Sequence, residues 1–492
     1  MANRGYGTWK VPATLQSEYP WASALPLTVS AKLNRKLCMH RIILHLLILL
    51  ALSGRFCSAA DPADPPLQFR LPDDRPLLDR EKLTALGFSI VESKRLILVT
   101  DLPAESVSDL PPLADALFDE LQTQLGPLAP DLNGKEFQVT GYLMNARERF
   151  TDAKLLPPEH FQIRHGRNLG YQFWLNDQTA DYYRRHLLLH EFTHCFMMCE
   201  HGMTNIPPLW YTEGISEYFA THELTQNIDN SRFGILPPAT EGFEGWGRIA
   251  EIKKGFPVEL ADSPEISGVT SLKTVLNPPD DSFVDDQQYA LAWALVWLIR
   301  NHPDLKAEFS EFDHVRSREQ FVEADRAIPA AVWSRLNVIW PLFLDSVIEG
   351  EDLADSLPRM MPGPAHWNVG VNKPALLQID AAQDWQSSGF IFTRGQTIKL
   401  SCSGRYAVHD TPRPWISEPQ GITIDYYRGR PLGEVVAMIV SPDGQFVSRR
   451  ITVGTGCSIT LTHDGELWLQ INDSATERTG NSGAVEVAIV GG

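Results

Sequence analysis

The feature that most constrains this chain is a change in hydrophobic periodicity between residues 358 and 378, a stretch dense in Gly, Pro and Asn. Before it, apolar residues follow helical spacing, with Leu113, Leu117 and Leu121 on one stripe of a helix expected over 106–125 and a longer apolar helix opening at Tyr289 (YALAWALVWLIR). Short strands interleave with these at 95–100 (RLILVT), 137–144 and 170–175 (GYQFWL). After it come only short strand-like runs, FIFTR, TIKLSC, ITIDYY, VVAMIV, SITLT, ELWLQI and VEVAIV, with Asp443-Gly444 and Asp464-Gly465 as turns. The expected fold class is therefore α+β. A mixed-sheet lobe and a helical lobe occupy 95–357, 358–378 is a linker, and 379–492 forms an antiparallel β-sandwich.

The N-terminal end reads differently again. Arg41 precedes a run over 42–52 that is apolar except for His45, and Ser58, Ala59 and Ala60 follow, which is the order of parts in a secretory signal. Cleavage is expected near Ala60, Met39 offers an alternative start, and 61–94 is an extended lead-in. Eleven residues are short of the ~20 a membrane-spanning helix needs, so no span is expected after cleavage. Arg55 and Phe56 are too bulky for a lipidation site at Cys57. The implied location is secreted, periplasmic or cell-surface. The net charge is -18, with +6 in residues 1–60 and hence -24 on the remainder. So acidic a body has no basic footprint for nucleic acid. Export permits disulfides; Cys195 and Cys199 read as buried thiols, while Cys402 and Cys457 either bridge or stay free.

Within the α+β region, His190-Glu191-Phe192-Thr193-His194 closes an apolar run and Glu213 follows in WYTEGISEYFATH. Residues four apart share a helix face, so His190 and His194 can converge on one ion. Glu191, rotated by about 100° from His190, lies beside that ion. The helix is expected to begin from a cap at Asp177 or Thr179 and to run to about 201, where Gly202 stops it. Pro207 and Pro208 turn the chain before a second helix carrying Glu213 and Glu217. A catalytic zinc keeps three protein ligands, here His190, His194 and Glu213, and leaves a position for water; Glu191 is then the general base. His186 is on the same stripe but about 12 Å along the helix from His194, and is assigned to packing, as are His201 and His222. The strand over 170–175 is either an edge strand for an extended peptide or an interior strand.

The segment resembles the gluzincin branch of zinc metallopeptidases. The gap to Glu213 and the phrase Thr212-Glu213-Gly214 are similar to the alanyl-aminopeptidase family, and closer still to uncharacterised secreted bacterial peptidase-like proteins of that clan. The likeness covers about 95–350 and lacks the exopeptidase signature before the helix. It implies Zn2+ as cofactor, a peptide or protein substrate, Glu217 as the acid holding a ligand histidine by its other nitrogen, and Tyr289 as the hydroxyl that steadies the oxyanion.

The C-terminal region resembles the calcium-dependent galactophilic bacterial lectins at Gly395-Gln396-Thr397-Ile398, Ile471-Asn472-Asp473 and Asn481-Ser482-Gly483. The resemblance implies Ca2+ held by Asp473 and Asn481, a backbone ligand near Val408, and glycans as partners. Gly480 stands where that family has a second asparagine, which removes one ligand. Two functions follow: a secreted zinc peptidase hydrolysing peptide bonds, with an accessory sandwich, or an inactive metallopeptidase-fold protein working as a glycan- or protein-binding surface.

Overall fold

The computed structural model describes residues 69–491, apart from 158–162, 238–239, 255–264, 267–268, 279–284, 362, 369–373 and 409–412. The signal segment, Met39, Cys57 and Ala60 lie outside the described residues. Among those described, no single helix is long and apolar enough to cross a membrane.

A five-stranded sheet comes first, in the order β1 (Ser89–Glu92), β2 (Leu96–Thr100), β3 (Val139–Met144), β5 (Gln172–Asn176), β4 (Gly166–Leu169). β2, β3 and β5 are parallel, and β1 and β4 run antiparallel at the two edges. The strand in GYQFWL is thus interior, and the edge belongs to β4, whose sequence GRNL has no strand signature. α1 (Leu110–Leu125) buries Leu113, Leu117 and Leu121 as the spacing predicts, but starts later than residue 106, with Pro111 and Pro112 in its first turn. There their missing N–H groups leave no helical bond unmade.

The helical lobe is built on α2 (Asp181–Met198), α3 (Leu209–Ala220), α4 (Arg248–Lys254), α5 (Asp286–Asn301) and α6 (Ala330–Ser346). α2 is buried almost all round, as a central helix must be. Neither expected cap is used at its start: Ala180 is the N-cap, and Asp177 instead pairs with Arg184 at 2.6 Å. Its end falls at Met198 rather than near 201. Gly202, with φ at 70°, returns its N–H to the Met198 carbonyl.

In the C-terminal sandwich, one sheet has the order β6 (Ala375–Asp380), β14 (Ala484–Gly491), β8 (Thr397–Ser403), β12 (Gly456–Thr460). The other centres on β10 (Arg430–Val440), flanked by β13 (Gly465–Ile471) and then β7 (Gln386–Phe392) on one side, with β9 (Gln420–Tyr427) and β11 (Val447–Ser448) also pairing with β10. Every residue from Leu432 to Val440 is buried. Val435, Ala437 and Ile439 face the other sheet, while Val436, Met438, Val440 and Trp468 join the core of the helical lobe. A buried Asp345 at the end of α6 seals this junction. It accepts from Arg450 Nη2 at 2.5 Å, Arg428 Nη2 at 2.8 Å and Trp385 Nε1 at 3.3 Å. Part of 358–378 also belongs to the sandwich: Trp367 is buried in its core and Ala365–His366 pairs with β7.

All four described cysteines are free thiols. Cys457 lies opposite Leu400 in the β8–β12 ladder, so Cys402 is its diagonal neighbour. Diagonal residues are about 7–8 Å apart, whereas disulfide Cβ atoms sit at about 3.5–4.5 Å.

Candidate metal centre

α2 presents His186, His190 and His194 on one face, and α3 presents Glu213, Ser216 and Glu217 at the i, i+3, i+4 positions of the facing one. Gly214 lets α5 close over α3, because a Cβ there would come within 2.6 Å of the Ala292 carbonyl and of Val296. The two faces bring three donor atoms together. His190 Nε2 is 3.0 Å from His194 Nε2, His194 Nε2 is 3.1 Å from Glu213 Oε2, and His190 Nε2 is 3.3 Å from the same oxygen.

Bonds of about 2.0–2.1 Å in a tetrahedron put neighbouring ligand atoms about 3.3 Å apart, so this triangle is one face of a zinc-sized tetrahedron. A single proton satisfies only one of its edges. The donor set, two imidazoles and a carboxylate, suits zinc chemically. Although burial alone would raise the Glu213 carboxyl, His194 and His190 hold it down at about 2.

Behind these atoms lie the outer contacts. His194 Nδ1 is 3.2 Å from Ser216 Oγ, whose hydroxyl donates to the Thr212 carbonyl at 3.0 Å. His190 Nδ1 lies 3.4 Å from Glu217 Oε1, off the hydrogen-bonding direction. Glu217 also meets His186 Nε2 at 3.2 Å and takes two bonds from Arg248, at 3.0 and 3.2 Å. By distance alone His186, His190 and Glu217 form a second cluster able to hold an ion. The guanidinium on both Glu217 oxygens already supplies the cation there, which leaves the first triangle as the metal-suited one. Burial works to raise the Glu217 carboxyl, yet Arg248 and His186 hold it well below the carboxylate range.

Glu191 is buried beside the triangle, and its Oε2 has no hydrogen-bond partner among the described residues. Burial, opposed by His194 and reinforced by Glu213, pushes its carboxyl up to about 8. Its space is provided by β4, since a Cβ on Gly166 would lie 2.5 Å from Glu191 Oε1. Tyr289, in the first turn of α5, has its ring 6.2 Å from that of His190, and the Glu213 charge and burial raise its hydroxyl far above the usual tyrosine value.

Ser216, Arg248 and Gly166 join the site without having been expected from the sequence. Ser216 was visible as the i+3 neighbour of Glu213; the other two have no local signal. His222 is structural, stacked on Tyr182 at 4.5 Å with Nδ1 donating to the Ala220 carbonyl. His201 lies 3.7 Å from Glu200, remote from the triangle.

Asp473 and Asn481 also meet, but as a closed hydrogen-bonded pair. The Asn481 amide donates to Asp473 Oδ2 at 2.8 Å, and the Ser474 N–H occupies Oδ1 at 2.7 Å. Their loop is docked inward: the Ala475 N–H donates to Glu351 at 2.6 Å, and Arg478 reaches the Asp355 carbonyl at 3.0 Å. One buried carboxylate with both oxygens engaged does not fit calcium, which takes six to eight oxygens. Val408 closes a short strand paired with Trp415–Ser417.

No family model matches the chain, and no curated protein matches it. Among solved structures, the N-terminal domain of EclA, a PllA-like lectin, is 20% identical over 24% of this chain and 95% of its own, with a TM-score of 0.20. IMPa from Pseudomonas aeruginosa in complex with an O-glycopeptide is 10% identical over 43% of this chain, with a TM-score of 0.16. The IMPa metallopeptidase in complex with T-antigen is 11% identical over 51%, with a TM-score of 0.15. The matches span only 21% and 28% of those two IMPa chains. At such TM-scores these likenesses carry no argument about this chain.

Proposed function

We propose that this chain is an exported zinc-dependent peptidase that hydrolyses peptide bonds of a peptide or protein substrate. The observation that carries the reading is the triangle of His190 Nε2, His194 Nε2 and Glu213 Oε2 with 3.0–3.3 Å edges, beside a buried carboxyl whose Oε2 makes no hydrogen bond among the described residues. These three residues hold the ion. When bound, zinc supplies Lewis acidity that makes water nucleophilic near neutral pH.

Glu191 is the base that takes the proton from the attacking water and delivers it to the leaving amine. Tyr289 keeps its proton at working pH and so donates a hydrogen bond to the developing oxyanion. Glu217, pinned by Arg248, backs His190. β4, the outermost strand of the sheet among the described residues, passes Glu191 at Gly166 and offers main-chain groups to an extended substrate, in the role the sequence had offered to β5. The sandwich is packed into the rest of the enzyme through β10 and Asp345.

The test is metal analysis paired with cleavage of casein and a peptide library. One zinc per chain and turnover are expected. Glu191→Gln keeps the metal and loses activity by about 10²–10⁴-fold. A parent that binds zinc and cleaves nothing supports the other reading, a binding protein on an inactive peptidase fold.

A further inference from the structure

We infer that Ser216 is a positioning residue that fixes His194 in its metal-binding tautomer, a role that rests on the reading of His190, His194 and Glu213 as a zinc site. A neutral imidazole carries one proton on two nitrogens, and the nitrogen facing a metal must be the bare one. For His194 the metal-facing atom is Nε2, which lies 3.0 and 3.1 Å from the other two donors. The proton then belongs on Nδ1 and needs an acceptor, because the side chain is buried.

Ser216 Oγ lies 3.2 Å from Nδ1. A hydroxyl both donates and accepts, so its role depends on where its own proton goes. The Thr212 carbonyl, 3.0 Å away, can only accept, and it takes the hydroxyl proton one turn back along α3. The Oγ lone pair is thereby turned to His194. Ser216 is itself fully buried, which leaves no solvent to substitute for it.

The division of labour follows from helix geometry. Glu213, Ser216 and Glu217 occupy successive positions on one face of α3 and address, in turn, the metal triangle, the back of His194 and the back of His190.

The experiment measures zinc affinity by chelator competition on full-length parent, Ser216→Ala and Ser216→Thr, with thermal unfolding of each metal-free form. Loss of an outer partner weakens metal binding by about 10–100-fold. Ser216→Ala is therefore expected to bind zinc that much more weakly, with a metal-free midpoint close to the parent's. Ser216→Thr, which keeps a hydroxyl able to bond the carbonyl four residues back, is expected to restore affinity to within about threefold (0.7 kcal/mol). Parent-like affinity in the alanine variant overturns the assignment while leaving the zinc site standing, as does equal weakening in both folded variants. A parent that binds no zinc overturns the zinc reading and the assignment with it.

Discussion

Gly166→Ala separates the placement of Glu191 from the stability of the fold. Gly166 is an ordinary strand residue outside the positive-φ glycines, so alanine meets no backbone strain. Its methyl meets Glu191 Oε1 at 2.5 Å, Leu175 Cδ2 at 2.7 Å and Glu191 Cγ at 3.0 Å, all parts of movable side chains. Crowding costs about 1–3 kcal/mol, and the lower entropy of the unfolded chain returns about 0.4–1 kcal/mol. The net loss is then at most about 2–3 kcal/mol. The Glu191 carboxylate, however, must retreat by about 0.5–1 Å to regain van der Waals distance, and a displacement of that size costs up to about 100-fold in rate. We expect a 10- to 100-fold fall in kcat with one zinc retained and a folded protein by circular dichroism. The assays are metal analysis and turnover of a fluorogenic peptide pool. Turnover within twofold of the parent would refute the idea that β4 sets the position of the base, and loss of zinc would show that the methyl acts on the ligands instead.

Two further outcomes concern the junction with the sandwich. Burial lifts the Glu466 carboxyl to about 6 from an ordinary 4.5. Between those values the folded protein holds the proton that the unfolded chain has released, so stability falls as pH rises, by about 2 kcal/mol across the interval. Glu466→Gln, which never ionises, should therefore raise the thermal midpoint more at about pH 7.5 than at about pH 5; equal shifts at the two pH values count against this. Asp345→Ala leaves Arg450 buried without its carboxylate, and a loss of about 3–5 kcal/mol in denaturant unfolding is expected. A loss below about 1 kcal/mol would mean that the junction is wetter than its geometry indicates.

The site was largely legible because its chemistry is local. Four-residue spacing in α2 and the carboxylates of α3 define the triangle and its immediate surroundings from sequence alone. Arg248 was not legible, since its partner Glu217 is 31 positions away and no pattern marks a buried guanidinium. β4 escaped because it is a four-residue edge strand only half-buried on one face, by Gly166 and Asn168, and carries no apolar alternation, and β5 was left open between edge and interior for want of that neighbour. The sandwich strands carried a clue that was read too simply. VVAMIV has no polar residue at all, and a strand apolar on both faces must be covered on both. The loop at Asp473 and Asn481 keeps residues of a calcium-lectin pattern, but its burial depends on Glu351 and Asp355, which lie more than a hundred residues earlier.

That doubly covered β10 has a consequence for how the molecule is made. α6 leaves the ribosome before the sheet that must cover it, with about 125 residues separating Ser346 from Ile471. At about 5–20 residues per second, the apolar side of the helical lobe and the carboxylate of Asp345 wait roughly 6–25 seconds for their partners. A chain stopped near residue 375 keeps every candidate zinc ligand, yet presents an uncovered core to its neighbours. Maturation of the helical lobe is thus timed by the last strands to be synthesised, and a chain threaded through a membrane before folding would escape that hazard.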